Sequence, residues 1–454
     1  MQNRLDCTIQ KYRQACDYME IRVEDYESRS IQIRTGDTQI KDSMEIGGNV
    51  RVLKKGAWGF ASFNDLDLLD DFAEKAIKQT EKAGNTGVMM TSVPSVFELV
   101  KIEPVPGKFS LKDRIKLLNS YNEIVLNYNK NLIKNSIIFY NEEFKKKYFI
   151  TSEETYIEQE TLDTGICVAA VATKDNFTQM GSVSRGSSDD FSVCENLEED
   201  IKRACTLAIE HLEAVPVKSG TYTVICDQEV AGVFVHEAFG HNCEGDNYKN
   251  KDMEKEMALG RVLGGKILNI YDTGLYKGCR GYIKYDDEGV KSEKTYLVKE
   301  GILSGRLHTR ETSALMEEKV TGSARAINYR YPPICRMRHT CIEKGTGTFR
   351  DMIKEIKNGI YALKSASGTS NGETFTIIPC FSYMIRNGEL AEPVKGVKIN
   401  GNLSKSLKNI DMIGSDFETI NGLGGCGKKG QFPLPISKGA PHIRIQNVPI
   451  GGEV

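Results

Sequence analysis

The chain has 454 residues, 40% hydrophobic and 27% charged, an ordinary globular composition long enough for about two or three domains with their own cores. Its formal net charge of −2 gives no electrostatic reason to expect nucleic acid or an anionic membrane as partner. No apolar run approaches the ~18 residues of a membrane span, residues 1–7 lack a signal-peptide core, and the cysteines form no Cys-x-x-Cys pair, so a reduced, cytoplasmic protein is expected.

Residues 1–65 read as a small sheet. Residues 18–23 and 30–35 alternate as strands, and 45–61 read as paired strands broken by glycine turns. Leu66, Leu69, Phe72, Ala73, Ala76 and Ile77 recur at helical spacing within 64–83, with acidic residues first and lysines later, which suits the helix dipole. A Gly/Pro/Val-rich connection over 84–108 precedes a second helix over 111–128. Segments 137–140, 147–151 and 165–172 are rich in β-branched and aromatic residues and read as strands. Residues 177–191 are glycine- and serine-rich, and 195–213 have helical periodicity. The boundary is expected near Val215 to Gly220, giving an N-terminal domain over 1–216 and a C-terminal domain over 217–454.

Past that boundary, 221–226 reads as a strand, followed by the apolar residues Val230, Ala231, Val233, Phe234 and Val235 of a buried helix. Strands dominate from 266 to 442, at 267–271, 293–299, 334–341 and 375–385, with another over 442–448 and a single helix expected over 349–363. The fold class is therefore α+β, a mixed N-terminal domain followed by a mainly antiparallel C-terminal domain that carries the buried helix. No repeat of fixed period appears.

That helix ends in Val235-His236-Glu237-Ala238-Phe239-Gly240-His241, continuing as Asn242-Cys243-Glu244-Gly245-Asp246. Two imidazoles suit zinc, and a carboxylate beside the first can take a proton from water at the metal. The histidines are five apart, which on a regular helix sets them roughly 140° from one another. To present both to one ion the chain must open into a π-turn or end between them, and Gly240 sits where such a break is needed. The bland alternative is a capped core helix with two incidental histidines.

This stretch resembles the TldD branch of the TldD/PmbA family, described as zinc metalloproteases and, for some members, as modulators of DNA gyrase. The resemblance continues in order through Asp286-Asp287-Glu288-Gly289-Val290, Gly322-Ser323-Ala324-Arg325-Ala326, Pro332-Pro333-Ile334-Cys335-Arg336-Met337 and Cys426-Gly427-Lys428-Lys429-Gly430-Gln431. The N-terminal half matches in general character alone. The resemblance implies a peptidase acting on unfolded or small peptides in a cavity between subunits. It also implies one Zn2+ per chain and a homodimer or a heterodimer with a PmbA-like subunit that lacks the metal motif.

Three residues compete to complete the metal site with His236 and His241. Cys426 stands in the turn Gly424-Gly425-Cys426-Gly427, and the resemblance assigns the third ligand there. Glu244, three past His241, reads as a ligand if the chain stays helical and otherwise as an acceptor for an imidazole N–H. Cys243 has a suitable donor but points away on a helix and reads as a core cysteine. Glu237 is assigned as general base, and Asp246 either orients a histidine or caps the turn. Gly425-x-Gly427-x-x-Gly430 fits a dinucleotide expression but lacks a preceding strand and a following helix, so no such cofactor is expected. In a strand over 334–341, Arg336 and Arg338 would share one face, able to hold a peptide carboxylate or simply solvated. His211, His308, His339 and His442 show no ligand spacing.

Overall fold

The structure is a computed structural model that describes residues 1–35, 37–102, 110–189, 191–248, 255 and 257–451. Its N-terminal half is one seven-stranded sheet: β1 (Tyr18–Arg34), β2 (Asp37–Lys54), β3 (Ala57–Phe63), β4 (Phe97–Val100), β5 (Ile133–Thr151), β6 (Tyr156–Lys174) and β7 (Phe177–Ser187). The order is β3-β2-β1-β5-β6-β4, with β7 also paired to β6. Every pairing is antiparallel except β4 with β6. Helices α1 (Gln2–Tyr12), α2 (Leu69–Ala83), α3 (Leu111–Tyr128) and α4 (Glu198–Glu210) pack on this sheet through two apolar clusters.

The sheet departs from the sequence reading in one consistent way. The short strands expected over 18–23 and 30–35 are halves of β1, and those over 137–140 and 147–151 are halves of β5. Polar residues at 24–28 and 141–147 look like breaks in sequence, yet Glu24, Asp25 and Tyr26 lie opposite Lys147, Lys146 and Lys145 and continue the ladder. Cross-strand charge pairing stands in for apolar alternation there. The serine-rich 177–187 is also a strand, because Gly181 lets the backbone of Ala204 in α4 approach where a Cβ would meet its carbonyl oxygen at 2.0 Å.

The C-terminal half holds the largest core. Strand β8 (Val215–Pro216) and strand β9 (Gly220–Cys226) join an eight-stranded sheet with Asn358–Asn371, Thr374–Arg386, Glu389–Lys395, Lys398–Asn402, Ile410–Ile413 and Ile443–Gly451. A second sheet of six short strands runs Ile302–Leu303, Thr295–Lys299, Ile270–Asp272, His339–Ile342, Ser437–Ala440 and Glu418–Ile420. Helix α5 (Gln228–Phe234) lies between the two sheets, and its residues 230–234 are buried. The α+β class and the mainly antiparallel pairing match the sequence reading.

Two C-terminal expectations are corrected. The helix expected over 349–363 is a single turn, Phe349–Ile353, capped by Thr348 with Asp351, after which the chain extends as the strand Asn358–Asn371. The expected strand over 334–341 is two short ones, Ile334–Cys335 and His339–Ile342, joined by an irregular link at 336–338. Arg336 and Arg338 therefore share no exposed face. Both are fully buried, and Arg338 donates to Asp272 at 2.8 Å and to the carbonyls of Thr321 and Gly322. Among the described residues no helix is long and apolar enough to cross a membrane.

Candidate metal centre

Strand β9 runs directly into α5 through Asp227, whose side chain accepts the Val230 amide N–H at 2.8 Å as an N-cap. At Val235–Phe239 the helix widens into a π-turn, and a 3-10 turn, Gly240–Cys243, follows. The extra residue per turn rotates His241 back toward His236, and the two rings lie edge to face with centroids 5.0 Å apart. Gly240 leaves room at the junction for the buried Met337, whose sulfur a Cβ there would meet at 2.1 Å, so a larger residue must displace that side chain. Asn242 fastens the turn by donating to the carbonyls of Ala238 (2.9 Å) and Gly372 (3.0 Å).

The third member arrives from far along the chain. Cys426 opens the strand Cys426–Lys428, paired with Gln431–Leu434, and its Sγ lies 3.3 Å from His241 Nε2. Donor atoms of His236, His241 and Cys426 all fall within 4.8 Å of one another. Arg336 donates to the Cys426 carbonyl at 2.6 Å, so this arginine holds the turn in place. Arg280 does the same from the other side. It donates to the carbonyls of Gly422 and Gly424, each at 2.7 Å, while gripping Asp163 of β6 with both arms.

Glu244 is fully buried, and its Oε2 accepts from His241 Nδ1 at 2.9 Å and pairs with Lys428 Nζ at 2.9 Å. It is thus an orienting acceptor in this geometry, leaving Nε2 of His241 facing Cys426. Asp246 pairs with Lys428 and, at 2.7 Å, with Lys429, and among the described residues its side chain caps no helix. Cys243 is a buried core residue, as expected. Lys428, Arg280 and Lys438 were not singled out by sequence reasoning. Lys428 stands in the quoted Cys-Gly-Lys-Lys motif, but nothing in the sequence marks the other two.

Electrostatics separate the two imidazoles. Burial, aided by His241 and by Lys438 and Arg336, holds the His236 pKa well below the ordinary value, which favours the neutral imidazole, the form able to bind a metal. Burial also opposes charge on His241, but Glu244 and Cys426 outweigh it and raise its pKa well above the ordinary value. A cation competing for this site must displace that proton. Glu237 is half-buried and its pKa is raised by burial, against an opposing pull from His241 3.9 Å away. The donor set fits zinc on the structure's own terms: nitrogen and sulfur donors, and a buried Nδ1 of His236 with no hydrogen-bond partner among the described residues.

Two cavities meet at this cluster. One of about 600 Å³ is lined by His236, Glu237, Lys438 and the glycine turn, with Cys167 and Ser184 of the N-terminal sheet opposite. Another, of about 740 Å³ and more open, is lined by Glu237, His241, Lys428 and residues 368–372. Gly368 brings the strand Asn358–Asn371 against the helix, where a Cβ would lie 2.7 Å from Glu237 Cγ.

Comparison with known proteins places this geometry. The PmbA/TldA metallopeptidase C-terminal domain matches residues 219–452, domain 1 matches 19–80 and the central domain matches 104–213. The chain is 38% identical, over 98% of its length and 97% of the relative's, to a metalloprotease of Synechocystis sp.. The chain belongs to the PmbA/TldD family. It is also 29% identical to the zinc metalloprotease TldD homolog of Saccharolobus solfataricus, over 96% of this chain and 97% of that one. Its fold matches TldE from Thermococcus kodakarensis with a TM-score of 0.81 at 17% identity, covering 99% of this chain and 100% of that one. This PmbA/TldD chain thus has the fold of its family along essentially its whole length, with the His236, His241 and Cys426 cluster inside the C-terminal match.

Proposed function

We propose that the chain is a zinc-dependent peptidase hydrolysing unfolded or small peptides, in which His236, His241 and Cys426 hold one zinc and Glu237 is the general base. The observation that carries this reading is the convergence of two imidazoles and a thiol within 4.8 Å beside a half-buried carboxylate on a cavity wall. Zinc in such a site supplies Lewis-acid polarisation of a peptide carbonyl and makes water acidic enough to deprotonate at neutral pH. Glu237 accepts the proton of the attacking water at its carboxylate and delivers it to the leaving amine. Its raised pKa brings it toward the range in which one group serves both roles. Glu244 keeps His241 in a single orientation while this happens.

The strand beside the site supports this substrate class. Past Ala362, Asn358–Asn371 is paired among the described residues on one side only, by Thr374–Arg386, and residues 368–372 line the open cavity. An extended peptide adds to such an edge through backbone hydrogen bonds, which selects unfolded chains over folded ones. Residues 1–216 then act as the platform that walls the cavity and 217–454 as the catalytic half, working in the cytoplasm as a homodimer or with a PmbA-like subunit. The test is elemental analysis of wild type and Glu237→Ala, each assayed on an unstructured peptide library. Near one zinc per chain in both, with cleavage by wild type alone, is expected. A wild type that holds no zinc when prepared without chelators overturns the reading.

A further inference from the structure

The cavity of about 600 Å³ beside His236 and Glu237 is walled by several charged side chains, and their pairing is uneven. Lys364 is neutralised by Glu229 at 3.2 Å, and Arg185 by Asp200 at 2.7 Å. Asp227 is spent on the helix cap and on the Lys364 amide at 2.9 Å, and Glu229 also accepts the Ser365 amide at 3.2 Å. Glu418 is exposed at the mouth. Lys438 alone among the described cations of this wall is in ion-pair contact with no described carboxylate, and it feels Glu229, Glu237 and Cys426 only through space.

Its position is set by packing. Lys438 lies in Ser437–Ala440, paired on one side with Thr340 and on the other with Ile420. A Cβ added to Gly232 of α5 would meet the Lys438 Cβ at 3.2 Å, so the missing side chain lets this strand press against the helix. Gly232 is four residues before His236 and therefore on the same helix face one turn earlier. Lys438 lines the cavity next to the candidate metal centre, close enough for its charge to act on His236.

A half-buried ammonium with no counter-ion is unfavourable in the empty cavity and favourable once an anion arrives. We propose that Lys438 anchors a carboxylate of the substrate in this cavity, making the protein selective for peptides with a negative charge close to the cleaved bond. The proposal rests on the peptidase reading for its consequence but not for the binding itself. Burial lowers the Lys438 pKa, and a ligand with a permanent negative charge favours the ammonium in the bound state, which an oxyanion that exists only in the transition state does not. Peptides offer two such groups, an acidic side chain and the free C-terminus.

The test uses fluorescent peptides of one sequence, with Glu or Gln scanned along it and with a free or amidated C-terminus. Binding to the full-length, metal-free protein is read by anisotropy, and kcat and KM are read on the zinc-loaded protein. Wild type is expected to bind one carboxylate-bearing member about tenfold or more tighter than its neutral isostere. The scan identifies whether that group is the side chain or the terminus. Lys438→Met should erase the difference, Lys438→Arg should keep it, and the loss should fall on KM rather than kcat. Equal affinity of wild type for charged and neutral peptides overturns the proposal without needing any variant to fold, as does discrimination that survives in Lys438→Met. Carboxylate-dependent binding without cleavage would leave the anchor standing and remove the peptidase reading instead.

Discussion

Glu244 makes two contacts that decide what His241 can do: it accepts from Nδ1 and is itself held by Lys428. Glu244→Gln keeps the size but loses the charge that fixes the ring, so zinc affinity should fall about 10–100-fold, measured by competition with a chromophoric chelator. Glu237→Gln should leave zinc content unchanged and slow peptide cleavage by about 10²–10⁴, the range assigned to a general base. A loss of zinc along with activity in that variant would instead make Glu237 a ligand. That His236 and His241 come together was legible in identity and spacing, because it depends on neighbours in sequence. The choice between ligand and orienting acceptor for Glu244 was not, since it depends on the chain leaving the helix at Gly240 in a 3-10 turn. Arg336 and Arg338 were misplaced because alternation was assumed through a link that is not a strand.

At the scale of elements, the site depends on a helix that changes its own pitch. Five-residue spacing demanded either a π-turn or a helix end between the histidines, and the chain does both in succession, at Val235–Phe239 and at Gly240. Gly240→Ala puts a methyl within 2.1 Å of the Met337 sulfur and should cost about 1–3 kcal/mol of stability, measurable by urea denaturation. Gly368→Ala should act differently. Its methyl would press on Val233 and Glu237 across the strand–helix contact, so cleavage is expected to fall more than stability, compared by kcat and Tm on the same preparation. The helix expected over 349–363 shows why element types were harder to read than the motif. Met352, Ile353, Ile356 and Ile360 fit helical spacing, but Asn358–Asn371 is flanked by β9 and Thr374–Arg386, and those backbone partners outweigh local periodicity.

Over the whole molecule, the two halves are joined by buried charge. Arg51 of β2 pairs with Glu288 at 2.6 Å, and Asp287 takes Lys147 of β5 at 2.8 Å and Arg22 of β1 at 3.2 Å. Asp287→Asn takes from Lys147 its one described carboxylate and leaves Arg22 with Glu24 alone, at 3.5 Å, and should destabilise the protein by about 3–5 kcal/mol. Burial alone would raise the Asp287 pKa, but Lys147 and Arg22 outweigh it and hold the carboxyl well below its ordinary value. A depressed carboxyl pKa contributes stability that is complete above about 4, the value in an unfolded chain, and is lost as pH falls from there toward the folded value. The gap between wild type and Asp287→Asn in denaturant titrations should therefore be widest near neutrality and shrink below pH 4. A gap independent of pH would mean the loss comes from packing.

The sequence by itself determined the α+β class, the helix over 111–128, a helix ending at 83 that starts at 69 rather than 64, and the His-Glu-x-x-x-His stretch with its need for a break in the helix. Those features depend on residues within a few positions of each other, where periodicity, capping and spacing act. Tertiary structure decided the rest: which thiol, 185 residues from His241, comes within 3.3 Å of it, and that Arg280 ties Asp163 to the glycine turn. It also decided that Lys438 lines the cavity with no ion pair to a described carboxylate. These contacts depend on strand pairing and helix–strand packing between distant segments, and a local pattern carries no record of which distant segment will be its neighbour.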